Sequence, residues 1–440
     1  MSCKEPLTAS AAGGFFVYAA IIPLAWALSV QFRVVVKTGK GLVMHTFRNT
    51  LLLLGGVAAA GVAAAEMKTP ETSSLFRRHV EPSSGVVSYI LDTRIAENQQ
   101  SLYFTQQSMT DDGRFVVFDI SGGERGNRKS FALLDFLTDT LTPLEIRGSI
   151  PFLDTVTADL YWFQSDGLYR MALRAETRKS EKLCDVPAAL REAGSKVHRL
   201  VTHTTLTSDR KKAFLDARVD DRFIQGMLTI ATGEFEKWGE ADFHINHGQV
   251  NPTNERMALC AYEVSWTDKD GVLHRIENID GVYPRLQLLE PGQRRMIPPL
   301  FNYATHEYWA PDGKGFYYCG QGVIYHDLAT DKAERLAAVK AAHATMTGDK
   351  RFFTYDYSVG PWYRGCAWQV GFYNRETGKE VFIYQSLPAF NTKENPSTLH
   401  PDPHPQFVCG EKYIICTINH GDGRMDLSIT PVAQLADMTR

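Results

Sequence analysis

The chain has 440 residues, 44% of them apolar, with 47 basic against 50 acidic side chains and a formal net charge of −3. So balanced a charge excludes a protein that coats nucleic-acid phosphates with Lys and Arg, and the apolar content excludes disorder for most of the chain. Aromatic residues at 11%, together with 34 Gly and 20 Pro, point to a turn-rich β protein.

The first 65 residues differ in composition from the rest. Leu51 to Ala65 (LLLLGGVAAAGVAAA) is an uncharged apolar run, preceded by Met44, His45 and Arg48 and ending in three alanines. A charged start, an apolar centre and small residues at the end form the pattern of a secretory signal peptide. A second apolar run, Gly14 to Val30, lies upstream and contains Pro23. Neither run comfortably exceeds the roughly 20 residues that span a bilayer. The expectation is a start at Met44, a signal peptide over 44–65 and an exported chain, periplasmic or secreted, with no stable membrane insertion once the leader is removed. Residues 1–43 are then an over-extended start or an unusual leader. The alternative is a membrane anchor formed by the two apolar runs as a helical hairpin.

From Glu66 onward one pattern recurs: a polar turn rich in Asp and Gly, then an aromatic or β-branched strand. The copies are MTDDGRFVVFDI (109–120), TADLYWFQSDGLYRMAL (157–173), LTSDRKKAFLDAR (206–218), NPTNERMALCAYE (251–263), APDGKGFYYCG (310–320), MTGDKRFFTYDYS (346–358) and FVCGEKYIICTI (407–418). Several are followed by a second strand signal closing on T-G or T-D, as in GMLTIATGEF and QVGFYNRETGKEV. Repetition of this kind over about 375 residues, about 54 to a repeat, predicts an all-β, seven-bladed β-propeller occupying residues 66–440 as one domain. An eight-strand sandwich or two smaller β domains are the competing architectures. Helical periodicity is confined to Val186–Ser195 and Glu334–Ala342, expected as short excursions between blades. No G-x-S-x-G is present, which excludes an appended α/β-hydrolase domain. The cysteines past the leader (184, 260, 319, 366, 409 and 416) form no C-x-x-C pair, and several sit in apolar strand-like runs. They read as small buried hydrophobes rather than zinc ligands.

Five histidines fall just before repeated turns: His203, His247, His306, His343 and His404. A propeller carries equivalent positions of its blades around one axis, so these predict a shared site. Late in the chain His400, Asp402 and His404 alternate with prolines. Proline fixes φ near −65° and pushes its predecessor to extended geometry, so alternate side chains of this run can face one metal ion; a Pro-stiffened surface loop is the competing reading. Imidazole with carboxylate suits Mn, Fe, Ni or Zn better than Ca.

ATHEYWAPDGKGFYY, FHINHGQVNPTNERMALCAYE, DPHPQF and YFTQQSMTDDGRFVVF resemble the corresponding blades of the oligogalacturonate lyases, seven-bladed propellers of polysaccharide lyase family 22. T-H-E-[FY]-W-x-P-D-G is the most specific of these blocks. The resemblance implies a divalent metal, most often Mn²⁺, held by His306 and His404. Asp402 stands where the family has a second histidine, with His400 nearby. It also implies His247 as catalytic base and Arg222 as catalytic arginine. Tyr103, Trp309 and Trp362, aromatics near the same loops, are expected to stack on sugar rings, with core packing as the competing role for each, and Gln106 and His343 are expected among the substrate contacts. The family's metal-binding glutamine falls on Leu399, which cannot ligate. The activity implied is β-elimination on an anionic uronate oligosaccharide, giving 4,5-unsaturated products. A lyase for another polyuronate and a non-enzymatic periplasmic TolB-like propeller that binds a partner are the alternatives.

Overall fold

A computed structural model of the chain describes residues 16–18, 33–38, 41–46, 66–122, 130–191, 194–263, 265–267, 273–275, 278–359, 367–389 and 401–440. The chain divides into two compact units, Met1–Ala65 and Glu66–Arg440. Within the first, strands Phe16–Tyr18, Arg33–Thr38 and Gly41–Thr46 form an antiparallel sheet. The apolar run Leu51–Ala65, most of Gly14–Val30, Cys366, Trp362, Leu399 and His400 lie outside the described residues. No helix among the described residues is long and apolar enough to cross a membrane.

The second unit is nearly all β. Five sheets follow one another along the chain, spanning 152–185, 197–241, 245–297, 305–337 and 343–387, and each is an antiparallel meander. Ser265–Thr267 and Leu273–Arg275 pair as a separate hairpin, and strands from the two ends of the unit join in one nine-stranded sheet. Asn98–Gln100, Phe115–Ser121, Ser130–Asp135 and Thr140–Leu144 make one meander of it. Gln406–Val408, Tyr413–Asn419 and Met425–Pro431 make another, completed by the early strand Val87–Leu91, which pairs antiparallel with Met425–Pro431. Strand pairing between the two meanders is a parallel one, of Met425 with Asn98.

Each sheet packs face to face on the next. Strand Phe115–Ser121 shows why its sequence reads as a continuous apolar run rather than an alternation. Phe115 and Val117 enter a layer with Leu160 and Trp162 of the following sheet, while Val116 and Phe118 enter another with Ile415 and Leu427 near the C-terminus. A strand buried on both faces needs apolar residues at every position. Further layers join Phe214 to Cys260, Leu259 to Phe316, Tyr317 to Phe353 and Phe372 to Ile414.

The repeated turns share one chemistry. Thr110, Thr207 and Thr347 each donate their hydroxyl to the Asp two residues on (Asp112, Asp209, Asp349), at 2.7, 2.7 and 2.6 Å. The same hydroxyls accept the N–H that starts the following strand, from Phe115, Lys212 and Phe352. The turn then passes through a left-handed residue: Gly113 in the first copy, Arg210 and Lys350 in the others. The two expected helical excursions are corrected. Among the described residues of Val186–Ser195 the helical geometry is a 3-10 turn at Ala188–Leu190, and Glu334–Ala337 belongs to strand Lys332–Ala337, whose edge position leaves Lys332, Glu334 and Arg335 exposed. The α-helix that does form, Val432–Met438, follows the last strand and packs Leu435 into the core. The described cysteines (184, 260, 319, 409 and 416) are free thiols, all but Cys184 buried.

Candidate active site

The segment Ser101–Ser108 carries two rings, Tyr103 and Phe104, into the middle of the unit, where they meet histidines from five different stretches of chain. The Tyr103 ring lies 4.5 Å from His203, 4.9 Å from His404, 5.5 Å from His247 and 6.0 Å from His343. Phe104 lies 5.2 Å from His343 and 6.1 Å from His306. The imidazoles also touch one another: His306 to His343 at 3.8 Å, His343 to His404 at 4.3 Å and His203 to His247 at 4.9 Å.

Local backbone geometry aims three of these rings. His247, His306 and His404 have φ of 52°, 54° and 48°. For an L-residue that conformation costs about 1–2 kcal/mol and is uncommon outside Gly, Asn and Asp. His247 and His306 sit where the first strand of a sheet slips register, between Asn246 and Gln249 and between Thr305 and Tyr308. A bulge of this kind turns one side chain out of the alternating pattern. The left-handed φ of His404 also corrects the expected extended run: the prolines do not hold 402 to 404 as a flat ribbon. Asp402 and His404 meet all the same, with His404 Nε2 3.6 Å from Asp402 Oδ2.

One end of the cluster fits a metal ion. His343, Asp402 and His404, all buried, can offer one ligand atom each with all three atoms within 4.8 Å of one another. Two imidazoles and a carboxylate form a donor set for Mn, Fe or Zn. His343, expected at the substrate, is thus the residue grouped with Asp402 and His404, and His306 adjoins it. His306 Nδ1 is 2.6 Å from the Ala342 carbonyl and 3.0 Å from the Thr305 hydroxyl, contacts that fix the orientation of its ring. Asp356 stands behind the trio, its oxygens 3.0 Å from His343 Nδ1. Burial pushes the Asp356 carboxyl up, and His343 beside it pulls it back.

The other end is built around His247. Burial holds its pKa well below the ordinary imidazole value, and His203, Arg285, His306 and Arg199 push in the same direction. The ring is therefore neutral near pH 7 and able to accept a proton. Glu263 Oε1 lies 3.8 Å from His247 Nε2 and accepts Arg285 Nη1 at 2.9 Å, while Arg285 Nε donates to the buried Glu307 at 3.0 Å. Burial opposes the Arg285 charge, but its two carboxylates outweigh that and raise its pKa. A cavity of about 500 Å³ opens on Tyr103, His203, His247, Glu263 and His404, a size within the range of small-ligand sites.

The other expected residues lie elsewhere. Arg222 begins the strand Arg222–Thr229, its side chain 39% exposed and 3.4 Å from Glu240, and it does not line that cavity. Trp309 and Gln106 line a second cavity of about 430 Å³ with Phe104, and the Trp309 indole N–H donates to the Gln249 carbonyl at 2.9 Å. Glu263, Arg285, Glu307, Asp216 and Asp356 were not anticipated. For the two aspartates a signal existed: each lies seven residues after the turn aspartate of its repeat (Asp209 to Asp216, Asp349 to Asp356), inside an apolar strand, as does Asp119 after Asp112. A carboxylate there must be buried and must have donors.

No family model matches the sequence, and no curated protein matches it. Among solved structures, an oligogalacturonate lyase in complex with manganese superposes with a TM-score of 0.61 at 19% identity, covering 81% of this chain and 96% of that one. An oligogalacturonate lyase from Vibrio parahaemolyticus does so with a TM-score of 0.60 at 17% identity and the same coverages. At these identities the fold is what is shared.

Proposed function

We propose that this chain is a metal-dependent lyase that cleaves uronic-acid oligosaccharides by β-elimination, built on a seven-bladed propeller and exported by its leader. The blade reading is supported by apolar layers that run from each sheet to the next and from the C-terminal meander back to the first. The observation that carries the chemistry is the pairing, around Tyr103, of a metal-capable trio with a neutral, largely enclosed histidine.

β-Elimination removes the proton at C5 of a uronate and expels the oxygen at C4. The C5–H is a weak acid until negative charge developing on the adjoining carboxylate is offset. A divalent ion held by His343, Asp402 and His404, with His306 beside them, would supply that offset as a Lewis acid, and manganese suits these donors. His247 takes the C5 proton, its lowered pKa keeping it unprotonated for the task. We assign to Arg285, rather than Arg222, the cationic role at the base: it is fixed between Glu263 and Glu307 and lowers the pKa of His247. Tyr103 offers a ring face in the cavity against which a sugar can rest. The C4–O bond breaks without water, leaving a 4,5-unsaturated uronate.

The test is incubation of the purified chain with oligogalacturonides and a panel of other polyuronates, with Mn²⁺ or with EDTA, following ultraviolet absorbance of the conjugated double bond. Absorbance should rise with Mn²⁺ and stop with EDTA. A flat trace on every uronate, with the metal demonstrably loaded, would sink the lyase reading.

A further inference from the structure

A metal ligand is useful only if its ring is held in one orientation and one tautomer, and in this site the group able to do so is not itself among the ligands. Asp356 is fully buried on the strand Phe352–Ser358, directly across from His343. Its Oδ1 accepts the backbone N–H of His343 at 2.9 Å, and both of its oxygens lie 3.0 Å from His343 Nδ1. Its Oδ2 also accepts the backbone N–H of His404 at 2.9 Å, from the segment that leads into the strand Gln406–Val408. One carboxylate therefore grips two members of the trio, one through its ring and one through its backbone.

We infer that Asp356 is the positioning residue of this metal centre, fixing His343 with its proton on Nδ1 and Nε2 facing the ion, and setting the height of His404 relative to it. The inference rests on the metal reading proposed above. Its chemical basis is that a carboxylate can only accept, so the nearer ring nitrogen carries the proton and the farther one keeps its lone pair. The left-handed backbone at His404 gives the second contact its purpose, because a costly conformation persists only where its surroundings fix it.

Asp216 shows the same brace without an imidazole at its tip. It occupies the corresponding place in its repeat and accepts the N–H of Thr202 at 2.7 Å, the Thr202 hydroxyl at 2.5 Å and the N–H of Gly248, from the next sheet, at 3.2 Å. It joins adjacent sheets as Asp356 does, but beside His203 and His247 instead of the trio. Asp216→Asn is thus a matched control for loss of a buried, bridging carboxylate.

The experiment titrates Mn²⁺ into the intact chain by calorimetry and records histidine ¹⁵N–¹H correlations on the metal-free wild type. Asp356→Asn should weaken Mn²⁺ binding about 10- to 100-fold, the usual effect of losing an outer partner of a metal-bound histidine. Asp216→Asn, at comparable loss of thermal stability, should bind within about twofold of wild type, since its shell holds no member of the trio. A folded Asp356→Asn chain that binds Mn²⁺ like wild type overturns the inference. So does a wild-type spectrum placing the His343 proton on Nε2, a measurement that holds even if the variant fails to fold. A wild-type chain that binds no Mn²⁺ defeats the metal reading itself, and the His343 tautomer then decides the brace separately.

Discussion

The two ends of the histidine cluster use the same scaffold for opposite electrostatic ends. Around His343 and His404 the nearest charged groups are carboxylates, Asp356 and Asp402, so this end is short of positive charge and suited to a cation. Around His247 burial is the first cause of its lowered proton affinity, and two imidazoles and two guanidiniums push the same way even with Glu263 3.8 Å distant, so this end keeps its imidazole neutral. The backbone under the two is alike: an aspartate on the second strand of a sheet grips N–H groups from its own sheet and the next. On a shared frame, the two ends thus differ in the charge placed around them.

The strongest way to break that contrast is to remove one ring from each end. His404→Ala should abolish Mn²⁺ binding and activity together, whereas His247→Ala should lower kcat by about 10²- to 10⁴-fold while leaving Mn²⁺ affinity intact. Calorimetry beside a steady-state assay checks both, and a His247→Ala chain that loses its metal would merge the two ends. Next in size is Arg285→Ala, which strands the buried Glu307 without its partner. Removing one member of a buried pair costs about 3–5 kcal/mol, to be read from urea unfolding. A cost near zero would mean that Arg285 is not the charge anchor of the base end.

A smaller effect follows pH. His244 packs near Arg199, and burial, reinforced by that guanidinium, lowers its pKa from 6.5 to about 4. The unfolded chain then binds more protons than the folded one between those values. Stability from this group is complete above pH 6.5 and drains away as pH falls toward 4. A thermal melt series should show the decline, and His244→Phe should flatten it. His247 adds to the same slope, and its lowered pKa puts the acid limb of kcat/KM below 6.5. The smallest change is expected from Arg222→Ala, which removes a half-exposed ion pair with Glu240 worth under about 1 kcal/mol. A hundredfold loss of kcat in that variant would restore Arg222 to the catalytic role that the family resemblance implies.

Much of the frame is written locally, which is why it can be read from the chain. The Thr-x-Asp turns, the apolar strands after them and the histidines before them are short-range patterns, and the structure uses each where it occurs. Glu334–Ala342 misleads because its charges and alanines fit a helical period as well as an exposed edge strand, and only pairing with its neighbour decides between them. The His247 surroundings were not legible, because Arg285 and Glu263 are 22 positions apart and their contact exists only once one sheet folds. Arg222 illustrates the converse. Its place in the sequence suits a catalytic arginine, but as the first residue after a tight turn its side chain reaches Glu240 on the neighbouring strand.

The pairing of Val87–Leu91 with Met425–Pro431 carries a consequence for how the molecule is made. The strand that leaves the ribosome early cannot find its partner until the last strand has emerged, more than three hundred residues later. Until then the C-terminal meander lacks an edge and Tyr103 lacks His404, so no partial chain holds a complete site. A covalent link between the ends, or a circular permutation that places the early strands after the C-terminal helix, brings the most distant pairing of the fold close together in sequence. Such a chain should fold faster, since loop closure over long separations slows β proteins, and should gain its activity in the same step.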